Sequence, residues 1–198
     1  MKNLTIITVL FLIVSVAYTG AQQSDEQKAK QMKPVLVIID IQNKYLPYMD
    51  DADKKMGLEV INWAIWLFRE HGYPVVRVYH TDPKWGPEPG TEDFEFPSSI
   101  NITDEDPKVI KNYANAFNKT NLEEVIREKE GNTLFLCGFS AVGCVLATYN
   151  GAQDRDFNVF MVKDALLSHN ATYTNFVEEA FETVSVSTMK VMLEYAQK

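Results

Sequence analysis

The chain has 198 residues, 46% of them hydrophobic and 23% charged. That is an ordinary globular composition, which excludes a disordered or collagen-like chain, and the length suits one domain with a full core of its own. The formal net charge of −8 offers no clustered positive surface for nucleic acid and fits solubility instead.

Residues 1–21 read as a removable leader. Lys2 supplies a positive start, an apolar run extends from Leu4 to Ala17, and Thr19-Gly20-Ala21 places small residues at a cleavage site. The run is short for a membrane span and lacks a basic flank after it; an uncleaved anchor is the other reading. A cleaved leader predicts a secreted or periplasmic protein with no membrane attachment. Residues 22–33 are polar and predict a flexible linker. The folded domain is then expected over 34–198.

Pro34 opens Val35-Leu36-Val37-Ile38-Ile39, an unbroken apolar run ending at Asp40. Such a run predicts a central parallel strand buried on both faces. Ile61, Ala64, Ile65 and Phe68 recur at helical spacing within a helix predicted from Asp53 to Arg69, which Gly72-Tyr73-Pro74 stops. Val75 to Tyr79 is a second strand. The stretch from His80 to Pro107 is rich in Pro, Gly, Asp and Glu and carries Trp85, Phe94 and Phe96; it reads as a loop over a pocket or as an inert excursion.

Val109-Ile110 forms a short strand ending at Lys111. Thr120 with Glu123 has the spacing of a capping box and starts a helix that ends near Gly131. Thr133 to Gly138 is apolar strand, Cys144 to Arg155 is helix, Phe157 to Val162 is strand ending near Asp164, and Tyr173 to Phe181 is helix. Thr183 to Ser187 forms the last strand, and Thr188 opens a terminal helix. Strands alternating with helices predict a mostly parallel sheet covered on both faces, a three-layer α/β/α domain of Rossmann-like topology.

Ligands of such sheets bind beyond the carboxyl ends of the strands. Asp40, Lys111 and the turn from Gly138 to Cys144 all follow strand ends, so one rim receives a carboxylate, an ammonium and a thiol. A thiol at a helix amino end, beside an ammonium, is favoured as thiolate. A carboxylate within reach exchanges protons with the thiol and with a leaving amine. Singly, each residue has a plainer reading: a core cysteine, a turn-capping aspartate, a solvated lysine. Their joint placement is what points to acyl transfer from an amide. Cys137 and Cys144 are the only cysteines. The first lies in a strand and the second at the mouth of the next helix, which disfavours a disulfide between them.

These segments resemble the isochorismatase-like cysteine hydrolase family. Val35 to Gln42 is similar to its first motif, an apolar strand ending in Asp-x-Gln. Lys111-Asn112-Tyr113-Ala114-Asn115-Ala116-Phe117 is similar to its lysine motif, and Gly138 to Thr148 to its cysteine motif. The resemblance implies a six-stranded parallel sheet with helices on both sides. It implies Asp40 as proton shuttle, Lys111 as electrostatic partner and Cys144 as nucleophile. The backbone N–H groups of Ser140 and Cys144 would form the oxyanion hole, with a cis peptide at Phe139-Ser140. It also implies self-association into a homo-oligomer.

The metal-bearing nicotinamidase branch has Asp-x-His after the second strand. Here that stretch is His80-Thr81-Asp82-Pro83, with no further histidine before His169. Neither a metal nor another cofactor is therefore expected. Family members that cleave a vinyl ether lack the cysteine, so its presence points to a C–N bond in a small-molecule amide or ureide. Ether hydrolysis and a catalytically silent secreted relative remain the alternatives. A nucleotide-binding module is disfavoured, because no Gly-x-Gly-x-x-Gly follows the first strand. Gln42, Tyr45, Tyr48, Trp85 and Phe117 are candidates for substrate contact, with ordinary packing as the other reading of each. His80 either lines the site or packs.

Overall fold

A computed structural model describes residues 31–197. The leader assigned to 1–21 lies outside the described residues, as does all but the end of the linker assigned to 22–33. No helix of the described residues is long and apolar enough to cross a membrane.

Among the described residues six strands form one all-parallel sheet. They are β1 (Pro34–Ile39), β2 (Val75–His80), β3 (Lys108–Lys111), β4 (Thr133–Phe139), β5 (Asn158–Leu167) and β6 (Thr183–Val184), in the order β3-β2-β1-β4-β5-β6. The helices are α1 (Asp51–Glu70), α2 (Leu122–Glu128), α3 (Leu146–Gln153), α4 (Ala171–Ala180) and α5 (Val186–Ala196).

The apolar run of β1 explains its central place. Every residue from Val35 to Ile39 is fully buried. Leu36 and Ile38 join a core that includes Ile61, Ala64, Ile65 and Phe68 of α1 and Met189 and Leu193 of α5. Val35, Val37 and Ile39 join a second core with Leu122 and Ile126 of α2, Tyr149 and Ala152 of α3 and Val177 of α4. Successive side chains of a strand point to opposite faces, so one uninterrupted run supplies both layers. Burying each such side chain contributes about 1.5–3 kcal/mol.

Local signals set the ends of α1. The Asp50 side chain accepts from the N–H groups of Ala52 (2.9 Å) and Asp53 (3.4 Å). At the other end Gly72 takes φ +71°, and Tyr73 N–H reaches Phe68 O at 2.8 Å while Gly72 N–H reaches Arg69 O at 3.0 Å. This pair of bonds needs a left-handed residue after the helix, which glycine adopts without a Cβ clash.

Four local expectations are corrected. The helix after Thr120 starts at Leu122 without the reciprocal capping box: Thr120 Oγ1 accepts from Leu122 N–H at 3.2 Å, and Glu123 instead meets Arg155 (3.1 Å) and Arg127 (3.4 Å). The segment expected as helix from Cys144 begins with a π-type turn, Ala141–Val145, in which Gly143 is non-helical; the regular helix starts only at Leu146. The strand expected to end near Asp164 continues to Leu167, because a register shift against β4 absorbs the extra residues. The last strand is two residues long, since Ser185 turns out to cap α5 by accepting from Thr188 N–H at 3.2 Å.

The second half of the segment between β2 and β3 is anchored in the core, which corrects the reading as an inert excursion. Phe94 and Phe96 stack on Tyr79 at 5.1 and 4.2 Å between centroids, and all three are buried. The Lys108 ammonium sits over the Tyr79 and Phe94 rings at 4.3 and 4.8 Å. Its first part, from Pro83 to Trp85, is exposed.

Candidate active site

Strand order and register bring the reactive residues together. From β1 the chain steps outward through β2 to β3 and then returns to β4 on the other side, so the direction of winding reverses between β1 and β4. A crevice forms at such a reversal. Asp40 follows β1, and the turn carrying Cys144 follows β4. On the outer side, His80 and Lys111 are register partners at the ends of β2 and β3. Four neighbouring strands therefore deliver Lys111, His80, Asp40 and Cys144 to one rim.

The backbone at this rim is specialised. Asp40 has φ +53°, a left-handed conformation that aspartate tolerates better than most residues. It keeps its sheet hydrogen bond, with its N–H reaching Val78 O at 2.9 Å. Gly138 has φ +119°, and a Cβ there would lie 2.0 Å from Ile39 O, so only glycine fits where β4 passes the end of β1. The Phe139–Ser140 peptide is cis. Ser140 O then accepts from the N–H groups of Gly143 (2.9 Å) and Val145 (3.1 Å), which shapes the turn that presents the sulfur.

Lys111 is the centre of the cluster. Its Nζ donates to Asp40 Oδ2 at 2.7 Å and to Cys144 Sγ at 3.2 Å, and lies 3.2 Å from His80 Nδ1. Lys111 and Asp40 are buried, while Cys144 and His80 keep partial exposure. Asp40 Oδ1 is buried without a hydrogen-bond partner. Asp40, His80 and Cys144 each bring one ligand-type atom within 4.8 Å of the others, a grouping that could hold a metal by atom type. The ammonium already stands within 2.7–3.2 Å of all three, so a fixed positive charge serves that grouping.

Burial raises the Asp40 carboxyl above its usual range, and the nearby Lys111 ammonium offsets this only in part. Burial, followed by the Asp40 charge, pushes the Cys144 thiol up to about 12. His80 is shifted down, by burial and then by Lys111, and is neutral near pH 7. The thiolate expected from the sequence is thereby corrected for the resting protein. A helix end and one ammonium do not outweigh desolvation plus an adjacent carboxylate. Cys137 and Cys144 are both free thiols, with Cys137 buried in the first core.

The five substrate-contact candidates separate sharply. Tyr45 is partly buried and stacks on Phe139 at 5.3 Å, next to the cis peptide. Burial, and after it the Asp40 and Cys144 charges, raise its phenol pKa, which places it beside the cluster. Gln42 is fully buried and its amide is spent inside the protein. Its Nε2 donates to His80 O (3.0 Å) and Phe94 O (2.9 Å), and its Oε1 accepts from His80 N–H at 2.8 Å. Gln42 is a clamp between β1, β2 and the following loop, so substrate contact is not its role. Phe117 is also corrected: it is buried against Phe157 at 5.8 Å, with the Arg155 guanidinium over its ring. Trp85 is 76% exposed, with the Lys84 ammonium over its ring, and Tyr48 is 66% exposed. Among the described residues no hydrogen bond, ion pair or ring contact joins either side chain to the cluster. His80 was the member whose sequence signal was weakest, yet the strand-end rule that selects Asp40 and Lys111 selects it equally.

Two clefts of about 560 Å³ lie elsewhere, along the outer face of α1 beside Trp66 and Asn101, and include none of the clustered residues.

The model of the isochorismatase domain matches residues 34–192. The chain belongs to the isochorismatase family. An isochorismatase family protein of Escherichia coli O157:H7, itself uncharacterized, is 32% identical over 157 residues, covering 71% of this chain and 82% of its own. A secreted isochorismatase effector of Verticillium dahliae is 26% identical over 141 residues, covering 70% and 74%. The crystal structure of N-carbamoylsarcosine amidase from Thermoplasma acidophilum superposes with a TM-score of 0.65 at 25% identity, covering 78% of this chain and 95% of that one. This isochorismatase-family chain is thus a hydrolase by kinship, on the six-stranded α/β fold of that family.

Proposed function

We propose that this hydrolase cleaves the C–N bond of a small amide or ureide through a thioester on Cys144. The observation that carries the reading is the orphaned, buried Oδ1 of Asp40 in a cluster where sulfur and carboxylate lie within 4.8 Å. A buried acceptor without a donor is costly, and a catalytic role is one reason for a protein to keep it. It is suited to take the thiol proton as sulfur attacks the carbonyl carbon.

The raised carboxyl and the raised thiol suit this coupled transfer, since the resting site holds a neutral thiol and a basic partner. Sulfur adds to the carbonyl while Asp40 takes the thiol proton. The N–H groups of Ser140 and Cys144 hold the oxyanion. Asp40 passes its proton to the departing nitrogen, the C–N bond breaks, and ammonia or an amine leaves. Water then attacks the thioester as Asp40 takes one of its protons. The acid departs, and Asp40 returns the proton to the sulfur. Lys111 keeps its charge throughout and balances the negative charge as it moves between carboxylate and sulfur. Tyr45 supplies an aromatic wall.

The Thermoplasma neighbour, an N-carbamoylsarcosine amidase, supports a C–N bond as target. The leader pattern in 1–21 and the secreted Verticillium relative support export, with 34–198 as the active domain of the mature protein. Self-association into a homo-oligomer belongs to the same proposal.

A screen of small amides and ureides for ammonia release, with Cys144→Ala alongside, tests the reading. Turnover lost in the variant with circular dichroism unchanged supports it. Full activity without the sulfur would sink the nucleophile.

A further inference from the structure

We propose that His80 is a positioning residue for the Lys111 ammonium: its Nδ1 lone pair accepts a hydrogen bond from one of the three N–H groups and so directs the other two to Asp40 and Cys144. This rests on the cysteine mechanism above.

An ammonium has three donors and no acceptor. Lys111 has three partners within reach: Asp40 Oδ2 at 2.7 Å, His80 Nδ1 at 3.2 Å and Cys144 Sγ at 3.2 Å. Its side chain has 0% exposure, so solvent does not supply a third acceptor. Of the three, only His80 takes no part in the proton transfers proposed above.

The contact fixes the state of the ring. A group that only donates needs a lone pair on Nδ1, so the single proton of the neutral imidazole sits on Nε2. A charged imidazolium would face an ammonium at 3.2 Å. The charged and titratable groups around the ring are Lys111, Asp40, Asp82 and Cys144. The two carboxylates attract an imidazolium, but burial and Lys111 outweigh them, and the ring stays neutral.

The backbone is built to hold this ring in place. Gln42 takes both the N–H and the carbonyl of His80 (2.8 and 3.0 Å). The pairing of β2 with β3 sets His80 directly beside Lys111. Gln42 therefore acts on the site through His80, and His80 acts on it through Lys111.

Two variants separate a lone pair from a packed ring. His80→Asn keeps an acceptor near the Nδ1 position, and His80→Phe keeps the ring without one. The first readout needs no substrate: iodoacetamide alkylation of Cys144 across pH, followed by peptide mass. His80→Phe is expected to slow alkylation at pH 8 about tenfold, because an ammonium short of one acceptor supports the thiolate less well. His80→Asn is expected to restore it to within about threefold. With an active amide in hand, kcat falls about tenfold in the Phe variant while KM stays within about twofold, as for a residue that does not touch substrate.

A folded His80→Phe protein that alkylates like the wild type overturns the proposal, as does failure of Asn to rescue. Imidazole ¹⁵N shifts of the wild-type protein give an answer independent of any variant. An Nε2–H tautomer at pH 8 supports the contact, and a proton on Nδ1 overturns it. If no amide is turned over, the cysteine mechanism is in question, while the alkylation and tautomer results still decide the role of His80.

Discussion

Lys111 Nζ and Asp40 Oδ2 are 2.7 Å apart, with 0% and 2% of their side chains exposed. Seventy-one positions separate the two residues in sequence. A buried ion pair seldom adds net stability over an apolar pair, because both charges give up water. Retaining one at a sheet rim, beside a thiol, fits a working pair better than a structural one.

Breaking that pair from one side leaves a stranded charge. Lys111→Met is expected to destabilise the fold by about 3–5 kcal/mol, far more than an exposed ion pair is worth. Urea unfolding of the variant against wild type checks this. A loss below about 1 kcal/mol would mean that Asp40 is neutral or reaches water.

Asp40 has opposite effects on sulfur and on turnover. Its charge helps hold the thiol proton in place, so Asp40→Asn is expected to lower the thiol pKa and speed alkylation of Cys144 at pH 8. Hydrolysis is expected to fall by at least about 100-fold in the same variant, because no base remains to move the proton. Slower alkylation in a folded Asp40→Asn protein would contradict the electrostatics described here.

Gln42 and Phe117 contrast with Trp85. Replacing Gln42 by Leu leaves three backbone groups without their partner and is expected to cost about 2–4 kcal/mol. Phe117→Ala empties a packed site and is expected to cost about 3–5 kcal/mol. Trp85→Ala, at an exposed position, is expected to stay within about 0.5 kcal/mol. Thermal melts of the three rank them. A large loss at Trp85 would show that it is covered in solution.

The neutral His80 gives stability a pH dependence whose sign is fixed. Its folded pKa lies below the unfolded value near 6.5, so the unfolded chain binds more protons as pH falls through that value. Stability contributed by the neutral ring is complete above about pH 6.5 and is lost below it, towards the lower folded pKa. Asp40 works the other way: its folded pKa is raised, so acidification from that value towards 3.8 favours the folded state. The difference between wild type and His80→Asn, measured by urea unfolding from pH 8 to pH 5, isolates the histidine. Parallel curves for the two proteins would assign the acid sensitivity to other groups.

Much of this arrangement was legible in the chain itself, because it rests on local pattern. The apolar run at Val35–Ile39 can only be a strand with both faces covered. Alternating strands and helices impose a parallel sheet, and a parallel sheet exposes its reactive side chains beyond the carboxyl ends. Asp40, Lys111 and Cys144 follow from that rule together with the order of the motifs. What folding alone decided is how each polar or aromatic side chain is satisfied. Gln42 finds His80 and Phe94, Phe117 finds Phe157, and Lys111 finds a third acceptor in His80. Hydrogen bonding and packing act over a few ångströms between residues up to 52 positions apart in these cases. No local pattern records which distant partner will arrive, so the same side chain reads alike as a ligand contact or as a clamp until the strands are in register.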